Sequence, residues 1–274
     1  MRYQQENSAI SADGVPIHYH VLGKGERALV FVHGWCCDRR CWDQQEDYFA
    51  SDYTVVSINL AGHGSSGDQR NRWTMAAFGQ DVVAVARQLG LEQTVLIGHS
   101  MGGPVILEAA RHLPDSIIGL IGVETLWNVE QLRTPEQIAE AMAPFRSNYS
   151  EAARAFLKTM FISTSEVKPA EEIMADMLAT PKHIAISALE EAMKNDGRVQ
   201  ALIREIKAPK TIINSAHWRA TNEEAARRYG IDVLLMSGVG HFVMKEAPQT
   251  FNCLLDETVK KYMKGKSRKS GEAI

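Results

Sequence analysis

The sequence predicts an α/β fold: a mostly parallel central sheet with helices on both faces and an inserted all-helical lid. Three observations carry that prediction. Short apolar runs alternate with amphipathic stretches through the first 127 residues, and strands separated by helices pair in parallel. From residue 128 to about 205 no convincing strand is visible, and the segments are helical instead. Alternation then resumes, so the core is predicted from 1–127 and 206–274, with the lid at 128–205 inserted between them.

Taken in order, 15–22 and 28–32 are apolar runs of strand length, followed by Gly34-Trp35 and a loop. A helical stretch covers 39–50, and 55–60 is the next strand, closed by the small residues and glycines of 61–67. Over 74–89, Met75, Phe78, Val82, Val85 and Leu89 recur at helical spacing and mark an amphipathic helix. The run Thr94-Val95-Leu96-Ile97 is bounded like a buried strand. Behind it 101–113 is a helix, with Val105, Ile106, Ala109 and Ala110 on one side and Pro114 as its stop. An apolar strand over 117–123 completes the first half. The lid is expected to hold helices near 135–145, 150–161, 170–178, 181–194 and 198–206. Strands 210–214 and 233–236 follow, with a helix at 221–229 between them and a closing helix at 249–262. The basic, polar stretch 264–274 is expected to fray.

Composition narrows the function classes. At 274 residues and 45% hydrophobic content the chain can bury one large core, or one core with an appended layer. A net charge of −3 gives no electrostatic reason to bind nucleic acid or a membrane surface. No apolar run approaches a membrane span, and the polar start is not a signal peptide, so a cytoplasmic location is expected. The expected state is a monomer or small homo-oligomer acting on a small molecule. Four cysteines are present, Cys36, Cys37, Cys41 and Cys253. The first three crowd into six positions, but their spacing is not that of a zinc site, so they are expected as free thiols lining or packing near the active site. No phosphate-cradling glycine motif and no metal set is visible, and no cofactor is expected.

The chemistry concentrates at Gly98-His99-Ser100-Met101-Gly102, between a predicted strand and a predicted helix. A serine on so sharp a turn has its hydroxyl held out of the sheet, and glycines at the flanking positions let the backbones pass closely. Together with His33-Gly34-Trp35 and Gly238-Val239-Gly240-His241-Phe242, this motif resembles the α/β-hydrolase superfamily over about 17–262. In that superfamily the nucleophile comes first in the chain, then the acid, then the histidine.

The resemblance implies Ser100 as nucleophile, His241 as general base, and the backbone N–H groups of Trp35 and Met101 as oxyanion donors. Many relatives place an Asp after the strand corresponding to 210–214, but here Asn214-Ser215-Ala216-His217-Trp218-Arg219 holds no carboxylate and Trp218 stands in that place. Glu223 and Glu224 fall in the first turn of the next helix. Glu124 ends the strand beside the nucleophile strand, where some members of the superfamily carry the acid, and it is the expected acid here.

Serine at position 100, rather than aspartate, directs the chemistry to acyl transfer. A cofactor-independent serine hydrolase is expected, most simply a carboxylesterase for small to medium esters. Carbon–carbon or amide bond hydrolysis with the same triad, or a ligand-binding receptor on the same scaffold, are the other readings. Trp127, Met142, Phe145 and Phe161, with Phe156, Met160, Met174 and Met177, are candidates for the pocket wall. Apolar residues at helical spacing equally suit the lid's own core. The Trp35 side chain is open to either role.

Overall fold

A computed structural model of the chain describes residues 7–163, 165–194 and 196–267. Among these residues, eight strands form one sheet: β1 (Asn7–Ile10), β2 (Pro16–Leu22), β3 (Ala28–Val32), β4 (Thr54–Ile58), β5 (Thr94–His99), β6 (Ile117–Val123), β7 (Lys210–Ser215) and β8 (Ile231–Met236). Their order is β1-β2-β4-β3-β5-β6-β7-β8. β1 pairs antiparallel with β2, and β2 with β4, while every later pairing is parallel. Every residue of β3, β5 and β6 is buried, as expected of near-continuous Val, Ile and Leu runs covered on both faces.

β3 has β4 on one side and β5 on the other, so the chain reverses its direction of travel across the sheet there. Loops leaving the carboxyl ends of β3 and β5 diverge at such a point and open a crevice. Those two loops carry the His33-Gly34-Trp35 and Ser100 motifs.

The helices of the core are α1 (Asp43–Phe49), α2 (Met75–Gln88) and α3 (Gly102–Arg111) in the first half. α4 (Pro135–Ser147), α5 (Tyr149–Lys158), α6 (Val167–Leu178), α7 (Lys182–Lys194) and α8 (Asp196–Glu205) follow consecutively between β6 and β7. α9 (Glu223–Arg228), α10 (Val243–Glu246) and α11 (Pro248–Ser267) complete the chain. α2 packs on α3, and α1 on α10 and α11, with both α3 and α11 reaching β6. Among the described residues, no helix is long and apolar enough to cross a membrane.

Several boundaries depart from expectation. The single helix predicted over 39–50 is a 3₁₀ turn, Arg39–Trp42, followed by α1; the Asp38 side chain caps the turn by accepting from Arg40 N. β1 and α10 have only four residues each, too short for a periodicity to register. The fraying expected from residue 264 does not begin there, because α11 continues through Ser267; the rest of that stretch, 268–274, lies outside the described residues.

The helical insertion is entered through a capping box. Thr134 accepts from Gln137 N while the Gln137 side chain accepts from Thr134 N, with Pro135 in the first turn. It is fastened to the core at several points. Trp35 Nε1 donates to Ala185 O at 2.7 Å, and Arg198 grips the Glu108 carboxylate of α3 at 2.8 and 3.0 Å. Ser165 Oγ donates to Glu246 Oε2 at 2.5 Å, and Met160 O accepts from His241 N at 2.7 Å.

Candidate active site

Ser100 sits between the end of β5 and the start of α3 with φ at +52°, in the left-handed region. A non-glycine residue there costs about 1–3 kcal/mol, so its surroundings must hold it. They do so through backbone bonds: Ser100 N donates to Val123 O at 2.8 Å, and Ser100 O accepts from Gly103 N at 3.0 Å. Glycines make room for the turn. A Cβ on Gly98 would lie 2.3 Å from Gly102 O, and one on Gly102 would lie 2.7 Å from Val32 O. The expected glycine requirement is thus a direct steric one.

A second left-handed turn follows β6, with Glu124 at φ +49° and Leu126 at +54°. Glycines make room here too: a Cβ on Gly103 would lie 2.4 Å from the Thr125 hydroxyl and one on Gly122 would lie 2.7 Å from its methyl, but the turn itself is held from elsewhere. Glu124 N donates to Ile213 O at 3.1 Å, and the Asn214 side chain brackets Thr125, accepting from its N at 3.1 Å and donating to its O at 3.0 Å. The Asn214 amide therefore extends the β6–β7 pairing beyond the strand ends. The turn delivers a fully buried Glu124 carboxylate whose Oε1 accepts from Ser215 N and whose Oε2 lies 3.3 Å from His241 Nδ1. Burial pushes this carboxyl up to about 8, against the Ser215 N–H and the Trp127 indole, which favour its charge. That indole N–H acts as a nearby dipole, since it has no partner within hydrogen-bond geometry.

His241 is itself 1% exposed and is held from every side. Its carbonyl accepts from His99 Nε2 at 3.0 Å, and its ring lies 4.1 Å from that of Trp218, centroid to centroid. Both peptide N–H groups flanking it, Gly240 N and Phe242 N, donate to the Glu246 carboxylate at 3.0 and 3.1 Å. Burial and repulsion from Arg219 push the imidazole down to about 3, so the ring is held in its neutral form.

The loop after β3 is fixed by His33, which receives Leu60 N–H on Nε2 at 3.0 Å and contacts Gly34 O through Nδ1 at 2.8 Å. Ser100, Met101, Trp35 and His241 line one cavity of about 670 Å³ at the edge where β3, β5 and β6 end. Neither the Trp35 N–H nor the Met101 N–H meets an acceptor among the described residues. Ser100 Oγ and His241 Nε2 are not hydrogen-bonded to one another.

The structure thus brings Ser100, Glu124, His241, Trp35, Met101 and Trp127 together. It does not bring Met142, Phe145 and Phe161 to the cavity wall. Met142 and Phe145 are buried within the insertion, and Phe161 stacks on Phe242 at 5.6 Å. Phe156 and Met160 line the cavity instead, with Leu189 and Met193. Trp35 has both roles at once: it lines the cavity, and its ring meets Phe145 at 90° and Phe156 at 63°. Cys36, Cys37 and Cys41 are free and buried beside this loop, where burial holds the Cys36 thiol well above its ordinary range. Cys253 is exposed on α11 and does not line the cavity.

Asn214, Ser215, Trp218, Arg219 and Glu246 were not anticipated as part of the site. The absence of a carboxylate after β7 marked that loop as unusual without indicating what it does.

The chain is 27% identical over 271 residues to the dihydrolipoyllysine-residue acetyltransferase component of the acetoin cleaving system of Cupriavidus necator, covering 89% of this chain and 66% of that protein. It is 23% identical over 263 residues to 3-oxoadipate enol-lactonase 2 of Acinetobacter baylyi, covering 92% and 96%. Among solved structures, a thermophilic esterase from Thermogutta terrifontis, determined with malate bound, aligns with a TM-score of 0.81 at 22% identity, covering 94% of this chain and 99% of that one. The model of the alpha/beta hydrolase family matches residues 29–252, and the chain belongs to that family.

Proposed function

We propose that this protein is a serine hydrolase that cleaves carboxylic esters through an acyl-enzyme on Ser100. The observation that carries the reading is a single arrangement. A serine on a left-handed turn shares a cavity with a neutral histidine whose Nδ1 is held by a buried glutamate at 3.3 Å. In this reading His241 Nε2 takes the Ser100 proton as Oγ attacks the ester carbonyl. The Trp35 and Met101 N–H groups receive the oxyanion, each worth roughly 3–4 kcal/mol to the transition state. The same imidazole then protonates the departing alkoxide, and water repeats the sequence to release the acid. Glu124 keeps the proton of His241 on Nδ1 and stabilises the imidazolium. The serine–histidine hydrogen bond forms with substrate in place, as such bonds commonly tighten in the Michaelis complex.

Similarity to an enol-lactonase and to an esterase favours ester-type bonds over amides or carbon–carbon bonds. The apolar side of the cavity, with Phe156, Met160 and Leu189, suits a small to medium acyl chain. The test is turnover of p-nitrophenyl acetate, butyrate and octanoate by the wild type beside Ser100→Ala. Sustained wild-type turnover is expected, with a loss on the order of 10⁴-fold in the variant. Full activity in the variant overturns the assignment of Ser100. A single stoichiometric burst from the wild type indicates a receptor in place of an enzyme.

A further inference from the structure

The loop after β7 places a cation in the cavity. Ser215 Oγ accepts from His217 N at 2.9 Å and Trp218 N at 3.1 Å and donates to Val239 O at 2.5 Å, which pins the loop's start. Trp218 Nε1 donates to Thr159 O of the insertion, which pins its ring. The rings of Trp218 and Trp127 lie 5.3 Å apart at 67° and form a notch. The Arg219 guanidinium rests over both, 4.8 Å from the Trp127 centroid and 4.9 Å from that of Trp218.

A guanidinium seated over aromatic rings spends none of its N–H donors on conventional acceptors there. Among the described residues Arg219 has no hydrogen bond and no carboxylate within ion-pair distance. Glu124 is the acid whose charge acts on it, and that carboxylate is already engaged by Ser215 N and His241. The described cavity lining contains two arginines, Arg133 and Arg219, and no Asp or Glu, in a chain whose net charge is −3. Arg219 therefore stands on a wall whose described lining holds no acid. The same two rings that carry the guanidinium also contact the imidazole, at 6.0 Å for Trp127 and 4.1 Å for Trp218.

We propose that Arg219 binds a substrate carboxylate, so that the preferred substrates are esters or lactones carrying a carboxylate remote from the scissile bond. The inference rests on Ser100 being the nucleophile of an ester hydrolase, and it names the substrate class of that site. A planar fork matches a carboxylate edge to edge, and its fixed seat on two rings leaves little entropy to lose on binding.

Two pairs of matched esters test this. Mono-4-nitrophenyl glutarate against 4-nitrophenyl butyrate puts the carboxylate on the acyl side. The butyrate ester of 4-hydroxybenzoate against that of methyl 4-hydroxybenzoate puts it on the leaving group. In at least one pair the anionic member is expected to have the higher kcat/KM by about 10- to 100-fold, mainly through KM. Arg219→Gln should collapse that ratio towards one, and Arg219→Lys should restore part of it. Calorimetry with glutarate, against glutaramide as neutral control, reads the same interaction without turnover. Binding of glutarate should be lost in Arg219→Gln.

A ratio near one in both pairs, or a ratio that survives Arg219→Gln, overturns the proposal while leaving ester hydrolysis intact. Absence of all hydrolysis, with no labelling of Ser100 by a fluorophosphonate, overturns the hydrolase reading; glutarate binding then decides the carboxylate site alone. Failure of glutarate to bind wild type in that case overturns both.

Discussion

Two turns at the carboxyl edge of the sheet hold Ser100 and Glu124, the proposed nucleophile and acid, in the same unusual backbone conformation, and they are built in different ways. Ser100 at φ +52° is framed by glycines, and the turn is made by what is missing from its neighbours. Glu124 at φ +49° also has a glycine two residues away, Gly122, but its turn is held by groups from far along the chain, Asn214 and Ser215 among them. One turn draws most of its constraints from within a few residues, with a single backbone bond from Val123 of the neighbouring strand. The other exists only once β6 and β7 have paired. A nucleophile can be encoded locally, because the chemistry asks only that its hydroxyl be exposed. An acid must be aimed at a histidine that arrives more than a hundred residues later.

The sharpest way to probe this contrast is to remove each reactive group. Ser100→Ala should lose on the order of 10⁴-fold in kcat with an unchanged fold, measured as ester turnover beside the melting temperature. Glu124→Gln should cost about 10³-fold, because an amide does not stabilise the imidazolium and favours the wrong tautomer. A near-wild-type rate for that variant would return the acid role to the loop after β7.

The scaffolds of the two turns should fail differently. Gly98→Ala places a Cβ 2.3 Å from Gly102 O, in backbone that cannot yield. It should destabilise the fold by about 2–4 kcal/mol in chemical denaturation and remove activity with it. Asn214→Ala removes two hydrogen bonds to Thr125 and should cost about 1–3 kcal/mol. A larger cost for Asn214→Ala than for Gly98→Ala would reverse the contrast.

The acid turn should also show itself in pH. Glu124 is raised by burial to about 8 from an ordinary value of 4.5. The native state therefore carries a cost that grows as pH climbs from 4.5 and is complete above about 8. Glu124→Gln should accordingly gain more melting temperature over wild type at pH 9 than at pH 5. The working form of the Glu124–His241 pair has lost one proton, so kcat/KM should rise with pH, about tenfold per unit, towards a midpoint near 8. A midpoint at the ordinary histidine value would mean that Glu124 is ionised throughout.

Glu246→Gln is the smallest change. Its carboxylate holds both N–H groups beside His241 and also Ser165 of the insertion, and halving its acceptor capacity should lower kcat about tenfold. An equal fall for substrates of every size would mark it as positioning His241 rather than seating the insertion.

Ser100, His241 and Glu124 were all identifiable in the sequence, as was the alternation that places them at one sheet edge. The pocket wall was not. Met142, Phe145 and Phe161 share with Phe156 and Met160 an apolar character and helical spacing, and only the latter two reach the cavity. Periodicity shows that a helix face is buried but not whether it is buried by another helix or by a void.

By itself the sequence determined the sheet, the helical interruption and the nucleophile turn, because each depends on patterns or steric allowances spanning a few residues. The tertiary structure decided what those elements surround. Arg219 enters the cavity because two tryptophans, more than ninety residues apart in the chain, form a notch beneath it. The Glu124 carboxylate meets His241 because Asn214 prolongs a strand pairing and Met160 of the insertion receives the histidine's N–H. Such contacts join residues with no local relation, and their energies exist only after the chain has closed.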